Sequence, residues 1–124
     1  MSYVPLATIT LNSSAASITF SNINQSYKDL VVVYEGTASD GNDIFLYCNG
    51  NKGTDYGFTR LLGSDGQMYY QVKNNNALEI GITYNLLSAL KIEILDYSDT
   101  SKYKQILSRS DNERNIGIYG ASFK

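Results

Sequence analysis

FLYCNGNKGTDYGFTR, residues 45–60, sets three glycines, two asparagines and an aspartate between two aromatic-rich segments. Bare backbone of this kind either cradles an anion or turns the chain sharply between strands. A phosphate loop needs a strand, then glycines, then a helix whose N-terminus faces the anion. Here the stretch after the glycines, YGFTRLL, alternates like another strand, and Lys52 is misplaced for a nucleotide-binding lysine. Asn49-Gly50 is a pair that accepts positive φ with little strain at a hairpin tip. The segment reads as a glycine-rich hairpin loop in a strand-built protein.

Period-two alternation recurs along the rest of the chain. In LATITL, Ala7, Ile9 and Leu11 share one face and Thr8 and Thr10 the other, and ASITF follows with Ile18 and Phe20. DLVVVYE is apolar on both faces, which predicts a central strand covered on both sides. DIFLYCN, YGFTRLL, QMYYQV, LEIGIT, ALKIEIL, YKQILS and NIGIYGASF complete the series. NSSAA, ASDGND, GSDGQ, KNNNA and YSDTSK have turn chemistry, and SNINQSYKD suits a short helical turn. About nine or ten short strands at this spacing predict an all-β fold, a β-sandwich of jelly-roll type, with residues 1–124 as a single domain.

Composition excludes more than it identifies. The 124 residues are 43% hydrophobic and 18% charged, with 11 Tyr, four Phe and no Trp. The formal net charge is −2, acids and bases are scattered, and no basic stripe points to nucleic acid. No apolar run is long enough to span a membrane, and MSYVPLATITL lacks the pattern of a secretory signal. A single Cys48 permits no internal disulfide.

Histidine is absent, which removes Ser-His-Asp and Cys-His triads and the common zinc sites. Cys48, inside an apolar strand, reads as a small core hydrophobe. Glu35, Glu79, Glu93 and Asp96 are the candidates for a paired-carboxylate site, but Glu79 and Glu93 fall where alternating strands point to solvent. Asp40 with Asp43, and Asp96 with Asp99, match no calcium-loop spacing and read as turn formers. The reading is of a protein without catalytic residues, metal or cofactor. Tyr69 and Tyr70, on adjacent positions, face opposite sides of a strand. Tyr56, Tyr97 and Tyr103 flank loops, where tyrosines offer contact area at little entropy cost and can stack on sugars.

Three segments in order carry a resemblance. Residues 6–36, LATITLNSSAASITFSNINQSYKDLVVVYEG, pair two opening strands with a turn from Ile23 to Leu30 and a long apolar strand. Residues 44–66 hold the strand with Asn49, Gly50, Gly53 and Tyr56, and residues 92–109 a strand, the turn TSKYK and a return strand. Together they resemble small virion structural proteins of tailed bacteriophages, especially phages of cyanobacteria and other marine bacteria. The family's members continue with a longer section containing Trp. This chain has no Trp and ends at NIGIYGASFK, so either GIYGASF is a shortened closing strand or a neighbouring subunit supplies the missing pairing.

The resemblance implies a non-enzymatic virion protein, assembled in the host cytoplasm into the particle. It would be an exterior capsid decoration (cement) protein or a fibre-type component, contacting capsid or tail subunits and further copies of itself. The alternative is a receptor- or carbohydrate-binding module of a tail or fibre, with a host surface glycan as ligand. The expected contacts are in two loops: Lys52, Asp55 and Tyr56 in one, Tyr97, Asp99 and Tyr103 in the other.

Overall fold

The computed structural model describes residues 2–39, 43–51, 56–64, 66–75, 77–82 and 85–123. Among these the chain is all-β, with eight strands: β1 Leu30–Gly36, β2 Asp43–Leu46, β3 Tyr56–Ser64, β4 Gln67–Asn75, β5 Leu78–Ile82, β6 Ser88–Leu95, β7 Lys104–Asp111 and β8 Asn115–Phe123. Six form one open antiparallel sheet in the order β1-β6-β7-β8-β3-β4, and β2 pairs with β5 in a second sheet of two.

Alternation places the core where it is strongest. Leu90, Ile92 and Ile94 of β6 are buried, while Lys91 and Glu93 face outward. β7 and β8 repeat the pattern, and Ile106, Ser108 and Tyr119 face inward. The two-stranded sheet lies on this inner face. Leu78 and Ile80 of β5 join Tyr56, Phe58, Ile92, Ile94 and Ile106 in one cluster, with Ile44 and Leu46 of β2 packed against it. Burying each aliphatic side chain here contributes about 1.5–3 kcal/mol.

Three expectations are corrected. DLVVVYE is an edge strand: β1 pairs only with β6, and Val33 is 75% exposed. The strand buried on both faces is β5, where Ala77 through Gly81 are all buried. LEIGIT reads as an alternating strand with Glu79 on a solvated side, and the structure buries Glu79 and Gly81 as well. Residues 6–11 and 16–20 join neither sheet, so eight strands stand in place of nine or ten. No helical turn forms at 21–29 either; Asn24 Oδ1 accepts from the Ser26 amide at 2.9 Å, a local Asx turn.

The glycine-rich segment turns as its residues demand but does not make a hairpin. Asn49 and Gly50 both take positive φ, 54° and 67°, and the Asn51 amide donates to the Cys48 carbonyl at 3.0 Å. The flanking strands then go to different sheets, β2 to β5 and β3 to β4 and β8. The segment carries the chain from one layer to the other.

Gly81 shows how close the layers come. A Cβ there would run into Leu90 Cδ2 and stand 3.2 Å from Ser110 Cβ. Gly81→Ala should lower stability by about 1–3 kcal/mol through overpacking. The same change should cost less in a Leu90→Ala background, as read from urea midpoints; equal costs in both backgrounds would place the strain elsewhere.

Candidate functional site

Of the residues expected to make contacts, Lys52 and Asp55 lie outside the described residues. Tyr56 does not serve as a surface ring: it is 0% exposed. It is the first of the inward positions Tyr56, Phe58, Arg60 and Leu62 on β3, and its ring packs 5.7 Å from that of Phe123. Its hydroxyl accepts from the Cys48 amide at 3.1 Å and donates to the Asn51 carbonyl at 2.9 Å. Tyr56 therefore fastens the interlayer turn from inside. Beside it, burial pushes the Cys48 thiol up to about 11, which keeps it a packing group rather than a nucleophile.

Tyr97, Asp99 and Tyr103 do share one connector, between β6 and β7. Tyr97 packs against the core and its hydroxyl donates to the Asn24 carbonyl. Its amide donates to the Lys28 carbonyl at 3.1 Å, and Ser98 Oγ to the Tyr27 carbonyl at 3.2 Å. Asp99 accepts from the Ser101 hydroxyl and amide at 2.6 and 2.8 Å and pairs with Lys102 Nζ at 3.1 Å. These bonds hold its carboxyl far below the usual carboxylate range. Tyr97 and Ser98 moor residues 24–28 to the connector, Asp99 braces the connector itself, and Tyr103 presents an exposed ring.

The carboxylates do not converge. Glu79, expected on a solvated face, is buried and ion-paired with Arg60 between the layers. Tyr119 Oη is buried nearby beside the Ser110 hydroxyl, and burial pushes this phenol up to about 12. Glu93 faces the other way, 2.7 Å from Lys91 Nζ on the outer face. Among the described residues no group of three His, Cys, Asp or Glu is placed to hold a metal. Two open hollows of about 390 and 550 Å³ at the β7–β8 turn share Asp111, Asn112 and Glu113. Glu35 and Ser88 line the smaller one, where the Ser88 hydroxyl donates to the Leu86 carbonyl at 3.1 Å.

The outer face of the large sheet is the feature with interaction chemistry. Pairing puts Ile118, Leu61 and Tyr70 in one row across β8, β3 and β4, with Ile116, Gly63 and Met68 in the next. Gly120, Thr59 and Val72 form a third. Tyr70 is 72% exposed, Met68 68% and Ile116 66%. Met68 leans over Gly63, its Sδ 3.4 Å from where a Cβ would stand, so the surface there is flat. The exposed apolar area of these six large side chains is about 600 Å², at the top of the range for ordinary monomers. Arg109 and Asp111 of β7 border it. QMYYQV carries the signal for this face, since Met68, Tyr70 and Val72 alternate with Gln67, Tyr69 and Gln71.

No family model, no curated protein and no solved structure matches this chain.

The Arg60–Glu79 pair gives a direct test of the inner layer. Glu79→Ala strands a buried guanidinium and should cost about 3–5 kcal/mol, whereas Arg60→Leu with Glu79→Leu should fall close to the parent. Chemical denaturation of the three chains checks this; a single variant as stable as the double would contradict it.

Proposed function

We propose that the chain is a non-catalytic structural protein of a tailed-bacteriophage particle, placed on the exterior as a capsid decoration protein or a fibre-type component. The observation that carries this reading is the flat, uncharged apolar face over β8, β3 and β4. A face of that size on a domain with an open sheet suits permanent contact with a neighbouring subunit. The resemblance of residues 6–36, 44–66 and 92–109 to virion proteins supplies the kind of neighbour.

In this reading the open sheet is one layer of a jelly-roll-type sandwich that neighbouring subunits complete. Many weak contacts repeated over a symmetric shell then add up through multivalency. The mechanism is surface complementarity, with no chemical step. The glycan-binding alternative has one observation in its favour, the prominently exposed Tyr70 ring, which is available for stacking on a sugar. Glycan-array binding abolished by Tyr70→Ala would favour it over a purely structural role.

Mass spectrometry of density-purified particles of the encoding phage tests the proposal. The polypeptide is expected in fixed copy number. Ile118→Glu, with unchanged circular dichroism, should reduce incorporation at least tenfold. Purified particles that lack the polypeptide would overturn the reading.

A further inference from the structure

The segment before β1 is as incompletely covered as the outer face. Residues 2–23 are exposed throughout and belong to no strand, and Tyr3, Val4, Leu6, Ile9, Leu11, Ile18, Phe20 and Ile23 are all 36–60% exposed. Two stretches of this arm keep strand alternation, at 6–11 and 16–20, yet join neither sheet. Eight large apolar side chains in water are an unfavourable arrangement unless something covers them. No charged residue precedes Lys28. The arm can therefore be buried along its whole length without desolvating an ion, which is the main penalty at a dry interface.

We infer that the arm, residues 2–23, of one copy covers the apolar outer face of β8, β3 and β4 on a second copy. This rests on the reading of that face as a contact surface and names its occupant. Both partners in the contact are uncharged, with Arg109 and Asp111 outside it on β7. Alternation turns Ala7, Ile9 and Leu11, and then Ile18 and Phe20, to one side of the arm, and these side chains supply its contact with the face.

The arm's mooring favours a second copy over its own. Residues 24–29 are tied to the β6–β7 connector through Tyr97, Ser98 and Asp96, and the Tyr3 ring lies 5.9 Å from Lys91 Nζ on β6. Both ends of the arm are thus held toward the β1–β6 side, while the face lies at the β4 end of the strand order. Because every copy carries an arm at one side and a face at the other, exchange can close as a reciprocal pair or a ring. Thr8, Thr10 and Thr19 then point away from the covered face, as alternation requires.

The test uses the full-length chain. Sedimentation at tens of micromolar should give an oligomer, and Ile9→Asp or Ile118→Glu should each weaken association at least tenfold with unchanged circular dichroism. In a Cys48→Ser background, a copy with Ile9→Cys mixed with a copy with Val72→Cys should form a disulfide-linked pair on oxidation. A chain that stays monomeric, or a doubly substituted copy that cross-links only within itself, would overturn the inference. A monomer that still enters particles would overturn it while leaving the virion assignment standing; an arm-exchanged oligomer absent from particles would do the reverse.

Discussion

The packing of β5 across the inner face of the large sheet is the interaction on which the rest depends. An open sheet of six strands has two faces to cover, and this chain has only one small second sheet with which to do it. Leu78 and Ile80 join the buried residues of β3, β6 and β7, Gly81 lets the layers approach, and Ser108 Oγ donates to the Ile80 carbonyl at 2.7 Å. Arg60 and Glu79 bring opposite charges into the same layer, where each satisfies the other. Tyr56 then ties the turn that carries the chain between sheets. Most of the apolar surface on the inner side is consumed by this arrangement. What remains apolar is on the outside.

That division decides what the molecule can do. Its inner polar groups are paired across the layers, as with Glu79, or held in a nonpolar setting, as with Cys48 and Tyr119. The β6–β7 connector spends Tyr97 on mooring the chain before β1 and Asp99 on bracing its own turn. The chemistry that remains available is contact area: a flat face across β8, β3 and β4, and an uncharged arm. These properties suit contact with other subunits, and we propose a place on the outside of a phage particle on that basis.

Much of the fold was legible because period-two alternation records burial on one face. ALKIEIL and NIGIYGASF became β6 and β8 with their inward residues as expected. Alternation records the need for a covered face without naming what covers it. LATITL and ASITF have the pattern, but nothing in a single sequence distinguishes pairing within the chain from pairing with another copy. DLVVVYE misled for the same reason, since β1 lies at an edge with Val33 outward. Tyr56 was misread as a loop ring, although the stride through Phe58 to Leu62 was its signal. Glu79 had a fainter one: Arg60 occupies an inward position of β3, and a buried cation calls for a buried acid.

The central claim is that the outer face is a covered surface in the working protein. Hydroxyl-radical footprinting measures this directly, by comparing oxidation of Met68 and Tyr70 in the dilute chain and in the assembled state. The account predicts rapid oxidation of both in the dilute chain and strong protection on assembly, with the buried Tyr56 unreactive in each. Equal oxidation of Met68 and Tyr70 in the two states would contradict it.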